Sequence, residues 1–206
     1  YLLKDKLMRL GAAVARELGE AEIRRERKCA QDALRFLVDA SLALAEGLDE
    51  ASTLNRLARV AIPVLADWCF VDVVDESGTL TRVASAHVDP SKQPILEGLR
   101  ASGNPWLPAA TVLQTREPQI VRHNGRPLAD SLGSDESQRA LWRGVGVHGF
   151  IAVPLLARGR ALGVITLGFS APKAQLGLAD LAIAEELARR ASLAIENARL
   201  YRGAQE

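Results

Sequence analysis

The spacing of apolar residues predicts helix at both ends of the chain. Over residues 1–46 the intervals alternate between four and three, as in a coiled coil. The pattern weakens in the charged stretch 19–28 and resumes from residue 34, where the helix is expected to begin packing on a globular core. The first apolar stripe consists of Leu3, Leu7, Leu10 and Val14. A similar stripe near the C-terminal end consists of Leu181, Ala184, Ala188, Ala191, Ile195 and Ala198. Beside the latter, Ile183, Leu187 and Ala194 form a second stripe that is an alternative candidate for facing a sheet.

A shorter helix and two β-hairpins are predicted between these ends. The helix covers 51–65, and the first hairpin joins 68–75 to 80–87 through the turn signal ESGT. The second hairpin joins GFIAVPLLA to ALGVITLGF around Arg158 and Gly159.

The region between the hairpins, residues 88–146, contains six of the nine prolines. Such density argues against long regular elements. We expect short helices near 92–102 and 135–143 and a short strand at 119–122. The order of elements indicates an α+β antiparallel sheet with helices covering one face.

Alternation along the first strand separates two kinds of side chain. Trp68, Phe70 and Asp72 point one way, and Cys69, Val71 and Val73 the other. The Cys69 side suits packing beneath helices, so Cys69 is interpreted as a small buried hydrophobe. The aromatic side with one carboxylate suits a small-molecule site. Asp72 is alternatively the partner of a nearby arginine or backbone amide, and His87 either faces the same space or is structural.

Composition narrows the classes of function. Lys and Arg number 26 against 25 Asp and Glu, a net charge of +1, so nothing argues for nucleic acid. The longest uncharged apolar runs are about nine residues, against the ~20 that span a bilayer. The two cysteines, Cys29 and Cys69, suggest no disulfide framework, so a cytoplasmic location is expected.

Motifs for catalysis or metal binding are weak. GVGVHG (144–149) matches the letters of a dinucleotide fingerprint, but a predicted helix precedes it and a strand follows, the reverse of what the fingerprint requires. The histidines His87, His123 and His148 have no metal-ligand spacing. No nucleophile can be paired with a base, so we expect no intrinsic enzymatic activity.

Several segments together resemble a GAF domain. FIAVPLLARGRALGVITLGFS (150–170) is similar to the penultimate hairpin of that family, and RRASLAIENARLYR (189–202) to its closing helix. TREPQIV (115–121) is similar to the segment before a short GAF strand. The opening of the domain resembles GAF domains that follow a PAS domain in bacterial signalling proteins.

The resemblance implies a six-stranded antiparallel sheet. Its N- and C-terminal helices would pack on one face, and a ligand cavity would lie on the other. It implies a coiled-coil linker at 1–33, the GAF domain at 34–202, and the start of a linker to an output domain at 203–206.

The implied function is a sensor and dimerisation module of a histidine kinase or serine phosphatase. The predicted ligand-binding residues are Trp68, Phe70, Asp72, His87, Trp106 and His148. The partners would be a second copy of the chain in parallel, joined through the two apolar stripes, and an upstream PAS-type and a downstream output domain. Two alternatives stay open: a ligandless transmission module, and a sensor holding haem or a metal through a single histidine. No nucleic acid or membrane partner is expected.

Overall fold

The chain divides into two compact units, residues 1–36 and 37–206. The computed structural model describes residues 17, 19, 20, 24, 28, 31–42, 44, 49–62, 64–75, 77–101, 107–122, 128–170 and 176–203, without the side chains of 101, 107 and 201–203. In the first unit, residues 31–36 are helical. The predicted residues outside the described part of the chain are Leu3, Leu7, Leu10, Val14, Cys29, Trp106 and His123.

The second unit combines helices with one antiparallel sheet. After a helical stretch at 37–42, its helices are α1 (Glu50–Ala61), α2 (Gln93–Ala101), α3 (Leu107–Thr115), α4 (Ala129–Leu132), α5 (Glu136–Val145) and α6 (Leu178–Gly203). Its strands are β1 (Trp68–Val74), β2 (Leu80–His87), β3 (Gln119–Arg122), β4 (Gly149–Ala157) and β5 (Arg160–Phe169). The order across the sheet is β2-β1-β5-β4-β3.

Both predicted hairpins and the short strand at 119–122 are confirmed. The β4–β5 turn has positive φ at Arg158 (47°) and Gly159 (76°), which suits the twist of a two-residue hairpin. The GVGVHG motif ends α5 and leads into β4, with Gly146 left-handed at φ 79° as the helix cap. A helix therefore precedes the motif and a strand follows it, so the geometry of a dinucleotide fingerprint is absent.

The prediction of six strands is wrong for the described residues, which form five. The proline-rich region supplies only β3 and is otherwise largely helical where it is described. Pro94 and Pro108 occupy the first turns of α2 and α3, where a missing backbone N–H costs nothing. Two helices, α3 and α4, are not among the predicted elements, because the proline density of the whole region argues against regular structure.

The predicted helix 51–65 is shorter in the structure. Asp49 caps the start of α1 by accepting a hydrogen bond from the Ser52 amide at 2.8 Å. The helix ends at Ala61, and Ile62 is extended (φ −106°, ψ 145°). The following residue in the sequence is Pro63, which disfavours helical geometry at the residue before it.

The C-terminal helix packs on one face of the sheet, as predicted, but the other face is covered by helices as well. The face that carries Trp68 and Phe70, here called the Trp68 face, forms one buried cluster with residues of α2, α3, α4 and α5. The opposite Cys69 face is equally buried, through Cys69, Val71 and Val73. Its cover comes from α1 and α6, whose inward residues include Leu54, Leu57, Ala184, Leu187, Ala188, Ala191 and Ile195. Helices therefore lie on both faces, and the expected position of Cys69 beneath helices is confirmed.

Candidate functional site

Three aromatic rings occupy the centre of the Trp68 face. Trp68 and Phe70 are fully buried, and Trp142 from α5 is 2% exposed. The ring centroids of Trp68 lie 5.2 Å from Phe70 and 5.8 Å from Trp142. Phe70 and Trp142 meet edge to face at 5.9 Å, a geometry worth ~0.5–1.5 kcal/mol beyond area burial. Aromatic side chains thus fill the region where a ligand cavity was predicted.

Trp142 was missed as a site residue, although a signal for it exists. In the predicted helical patch 135–143 and its continuation, Leu141, Trp142 and Val145 lie on one side at helical spacing. The sequence does not show which face of the sheet this patch covers. In the structure, the inward side of α5 packs against the aromatic residues of β1.

Asp72 forms a buried ion pair with Arg82 on the neighbouring strand. Arg82 Nε donates to Asp72 Oδ1 at 2.8 Å and Nη2 to Oδ2 at 3.3 Å. The two side chains are only 8% and 4% exposed. The guanidinium carbon also lies 3.7 Å from the centroid of the Phe70 ring, within the range of a cation–π contact. Of the alternatives left open by the sequence, the structure supports Asp72 as the partner of an arginine.

A β-bulge brings Arg82 to this position. Val71 pairs with Ala84, but the next residue, Asp72, pairs with Arg82, so Val83 is extra. Strict alternation would have placed Arg82 on the side of Ala84, away from Asp72. The inserted residue turns Arg82 to the Trp68 face instead. For this reason the sequence could not identify Arg82.

His87, opposite Trp68 in the β1–β2 ladder, is held in one tautomer. Its Nδ1 accepts a hydrogen bond from the Asp89 amide at 2.9 Å. An accepting Nδ1 carries no proton, so the neutral ring carries its proton on Nε2. Burial and the nearby Lys92 lower the pKa of His87, against the opposing charges of Asp89 and Asp67. The ring is therefore neutral at pH 7.

Two buried polar atoms on this face have no hydrogen-bond partner within the described structure. They are His87 Nε2 and the hydroxyl oxygen of Thr166, which pairs with Phe70 across β1 and β5. A buried polar group left unpaired costs ~1–3 kcal/mol. Each therefore favours a hydrogen-bonding partner from beyond the described residues.

The structure brings together four of the six predicted ligand-binding residues. Trp68, Phe70, Asp72 and His87 share the Trp68 face. His148 lies just before β4, where its Nδ1 is 3.3 Å from the carbonyl oxygen of Gly146. Trp106 lies outside the described residues.

The predicted dimer stripe on α6 lies largely inside the domain. Ala184, Ala188, Ala191 and Ile195 are at most 2% exposed within the single chain. They face the sheet beside Leu187, so they are not available to a second copy. Leu181 and Ala198 are partly buried. The alanine-rich stripe therefore packs on the sheet, because its small side chains allow the helix to approach closely.

Thiol and metal chemistry find little support here. Burial, with a contribution from Asp72, raises the pKa of the Cys69 thiol far above its usual range, so the reactive thiolate is suppressed. Among the described residues, no three His, Cys, Asp or Glu side chains are grouped to hold a metal. A haem iron needs an unprotonated imidazole nitrogen with a free lone pair. Neither ring nitrogen of His87 provides one, because Nδ1 accepts the Asp89 amide and Nε2 carries the proton. His87 therefore does not fit a haem.

The chain belongs to the GAF family, since the GAF domain model matches residues 39–195. The fold is similar to the GAF domain of a phosphoenolpyruvate-protein phosphotransferase from Coxiella burnetii (19% identity, TM-score 0.60, covering 85% of this chain and 98% of that one). It is also similar to the GAF domain of a putative sensor histidine kinase from Pseudomonas syringae pv. tomato (16% identity, TM-score 0.58, 87% and 97%).

An enzyme shares the fold as well. The free methionine-R-sulfoxide reductase from Neisseria meningitidis, solved in complex with its substrate, has 17% identity and a TM-score of 0.60, over 84% of this chain and 93% of that one. At such identities the similarity establishes the fold. None of the curated proteins matches the sequence. In the described parts of the chain, no helix has both the length and the apolar character to cross a membrane.

Proposed function

We propose that this GAF domain is a non-catalytic regulatory module of a bacterial signalling protein of the histidine kinase or serine phosphatase type. It would bind a small molecule on the Trp68 face and pass the signal through its flanking helices to an output domain. A PAS-type domain upstream and a cytoplasmic location belong to the same proposal. The GAF domain of a putative sensor histidine kinase, among the proteins of similar fold, supports the signalling context.

The observation that carries the sensing role is the buried Nε2–H of His87, which has no acceptor among the described residues. It lies at the edge of the aromatic cluster, opposite Trp68 in the strand ladder. A planar molecule with a carbonyl or carboxylate oxygen would match both the donor and the rings. The bidentate Arg82 already neutralises Asp72, so Asp72 would not select a cationic ligand.

Binding would require movement, because the three rings are already in contact. The ligand would displace Trp142, and with it α5, from β1. A ligand can shift this equilibrium only by its difference in affinity for the closed and displaced arrangements. Coupling of the site to a covering helix is thus part of the sensing mechanism.

The second candidate is a ligandless transmission module. The filled aromatic centre and the internally satisfied Asp72 favour it. In that case the unpaired donor of His87 would be satisfied by water, and the domain would serve only to connect and pair helices.

Native mass spectrometry and thermal shift on the purified chain distinguish the sensing module from the ligandless module. The panel should contain planar metabolites with one carbonyl or carboxylate group, tested on wild type, His87→Leu and, as the matched control, His148→Leu. Sensing predicts a ligand that raises the melting temperature of wild type and the control but not of His87→Leu. A panel without any stabilising ligand, together with an unchanged signalling output in His87→Leu, would favour the ligandless module.

A further inference from the structure

The connection between β2 and α2 is bonded to His87 at both of its ends. After β2 the chain forms a 3₁₀ turn, Pro90–Lys92, which leads directly into α2. The Asp89 amide before this turn donates to Nδ1 of His87 at 2.9 Å. After the turn, Oε1 of Gln93 accepts a hydrogen bond from the His87 amide at 3.2 Å. One histidine therefore holds the turn, at one end through its ring and at the other through its backbone.

Lys92, the last residue of the 3₁₀ turn, is bonded to the end of α5. Its Nζ donates to the carbonyl oxygen of Val145 at 3.0 Å, one of the carbonyls that a helix end leaves without an intrahelical partner. Ser170 Oγ donates to the same oxygen at 3.2 Å. The last turn of α5 also contains Trp142, whose ring belongs to the buried aromatic cluster. The position of α5 therefore depends in part on where Lys92 is held.

Charged groups act on the His87 ring from two segments. Asp67 precedes β1, and Asp89 and Lys92 follow β2. Burial and the Lys92 ammonium outweigh the two carboxylates, so the pKa of His87 is lowered. Hydrogen bonds from Ser91 lower the pKa of Asp89 as well, so this carboxylate keeps its charge in mild acid. Acidification therefore adds a positive charge on the ring to the one that Lys92 already carries.

We propose that His87 and Lys92 form an acid-sensitive latch, which holds α5 over the Trp68 face while the imidazole is neutral and releases it when the ring is protonated. A protonated Nδ1 is a donor, so it no longer accepts from the Asp89 amide, and the 3₁₀ turn loses its bond to the ring. The added charge also repels the Lys92 ammonium. Both effects draw the turn away from His87, and with it Lys92 away from Val145.

Release loosens α5 without detaching it. Ser170 keeps its bond to Val145, and its amide donates to Asp67 Oδ2 at 2.7 Å; neither bond involves the imidazole. Because the ring takes up a proton more readily when the two cations are apart, a lower pH populates the released arrangement. The proton would thus be a second input to the regulatory module, acting on the helix that a ligand must displace. The latch itself requires no ligand, so it can be tested apart from the proposed sensing of a small molecule.

Hydrogen exchange followed by mass spectrometry on the purified chain tests the latch. His87→Gln is compared with wild type, because its side-chain amide can still accept from Asp89 but does not titrate. At about pH 7.5 the two proteins should protect residues 89–93 and 142–146 equally. At about pH 5 both segments should exchange about fivefold faster in wild type than in the variant, the usual weight of one hydrogen bond. Comparing the proteins at equal pH cancels the intrinsic pH dependence of exchange.

Two further variants complete the test. His148→Gln removes another histidine from the same end of the sheet and should keep the wild-type response. Lys92→Met should loosen α5 already at neutral pH, so that residues 142–146 exchange rapidly at both pH values. Equal exchange in wild type and His87→Gln at acid pH would refute the latch, as would a wild-type response of residues 142–146 in Lys92→Met. An acid effect that extended equally to β4 would also refute it, because that result indicates global unfolding rather than release of one helix.

Discussion

The indole ring of Trp68 lies directly over Gly168 of the neighbouring strand. The two residues are partners in the β1–β5 ladder, and a Cβ built on Gly168 would fall within the ring, nearest to its Cε2, Cζ2 and Cδ2 atoms. The missing side chain is therefore what allows Trp68 to lie across the sheet and reach Trp142. The geometry of the aromatic cluster depends on this one glycine.

Gly168→Ala should destabilise the domain by about 1–3 kcal/mol, the usual cost of an added methyl group in a packed core. The methyl group would force the indole off the sheet and separate it from Trp142. Urea unfolding followed by tryptophan fluorescence measures the loss and also reports the changed environment of the ring.

Gly98→Ala is the control for this substitution. A Cβ at Gly98, inside α2, would meet only the Leu141 side chain at 3.4 Å, and alanine is the better helix former by about 0.5–1 kcal/mol. Its stability should be equal to or above that of wild type. A Gly168→Ala variant as stable as Gly98→Ala would contradict the close contact.

Removing one member of the Asp72–Arg82 pair should be far more harmful than removing both. Asp72→Leu leaves a buried guanidinium without its counter-ion, at a cost of about 3–5 kcal/mol. Combining it with Arg82→Met removes the unpaired charge and should recover most of the loss. A double-mutant cycle in urea measures the coupling.

The exposed ion pair Arg143–Asp130 provides the comparison. Its side chains are 49% and 52% exposed, so Asp130→Ala should cost no more than about 1 kcal/mol. If Asp72→Leu were equally mild, or stabilising, the buried pair would have no structural importance.

His87 should make stability depend on pH in a defined direction. Its folded-state pKa is lowered, so as the pH falls below the unfolded value of about 6.5 the unfolded chain takes up the proton first. The contribution of the neutral His87 to the free energy of unfolding is fully present above that value and is lost as the pH falls toward the folded-state pKa. The urea midpoint of wild type should therefore decrease between about pH 7.5 and about pH 5.5, and His87→Gln should reduce that decrease. An identical decrease in both proteins would assign it to other groups.

Cys69 should be unreactive in the folded protein. Burial raises the pKa of its thiol and excludes reagents, so in a Cys29→Ser background a thiol-specific chromogenic disulfide should react only on unfolding. The labelling rate should then increase with urea in parallel with unfolding. Rapid labelling of the native protein would instead support a nucleophilic role for Cys69.

The local elements were largely predictable, because hydrophobic period and turn chemistry specify them. Alternation identified β1 and its two sides, and the Gly-containing turns located both hairpins. What covers the Trp68 face was not predictable in the same way. It depends on where α2 to α5 return to the sheet, and those contacts join residues such as Phe70 and Trp142 that are far apart in sequence.

The candidate site shows the same division between local and non-local information. Trp68, Phe70, Asp72 and His87 follow from strand alternation within one hairpin. Arg82 required knowledge of the bulge at Val83, and Gly168 required the register of β5 against β1. A sequence pattern carries neither, since both are properties of strand pairing rather than of one strand.

The bulge and the Asp72–Arg82 pair also bear on how copies of this domain avoid joining through their sheets. The outermost strands are β2 and β3, and unpaired outer strands invite intermolecular sheet extension. β3 has only four residues, while β2 is interrupted by an extra residue and carries a charge turned inward. Each is a recognised obstacle to continuous strand addition. Sheet-to-sheet polymerisation is thus disfavoured at both borders of the described sheet.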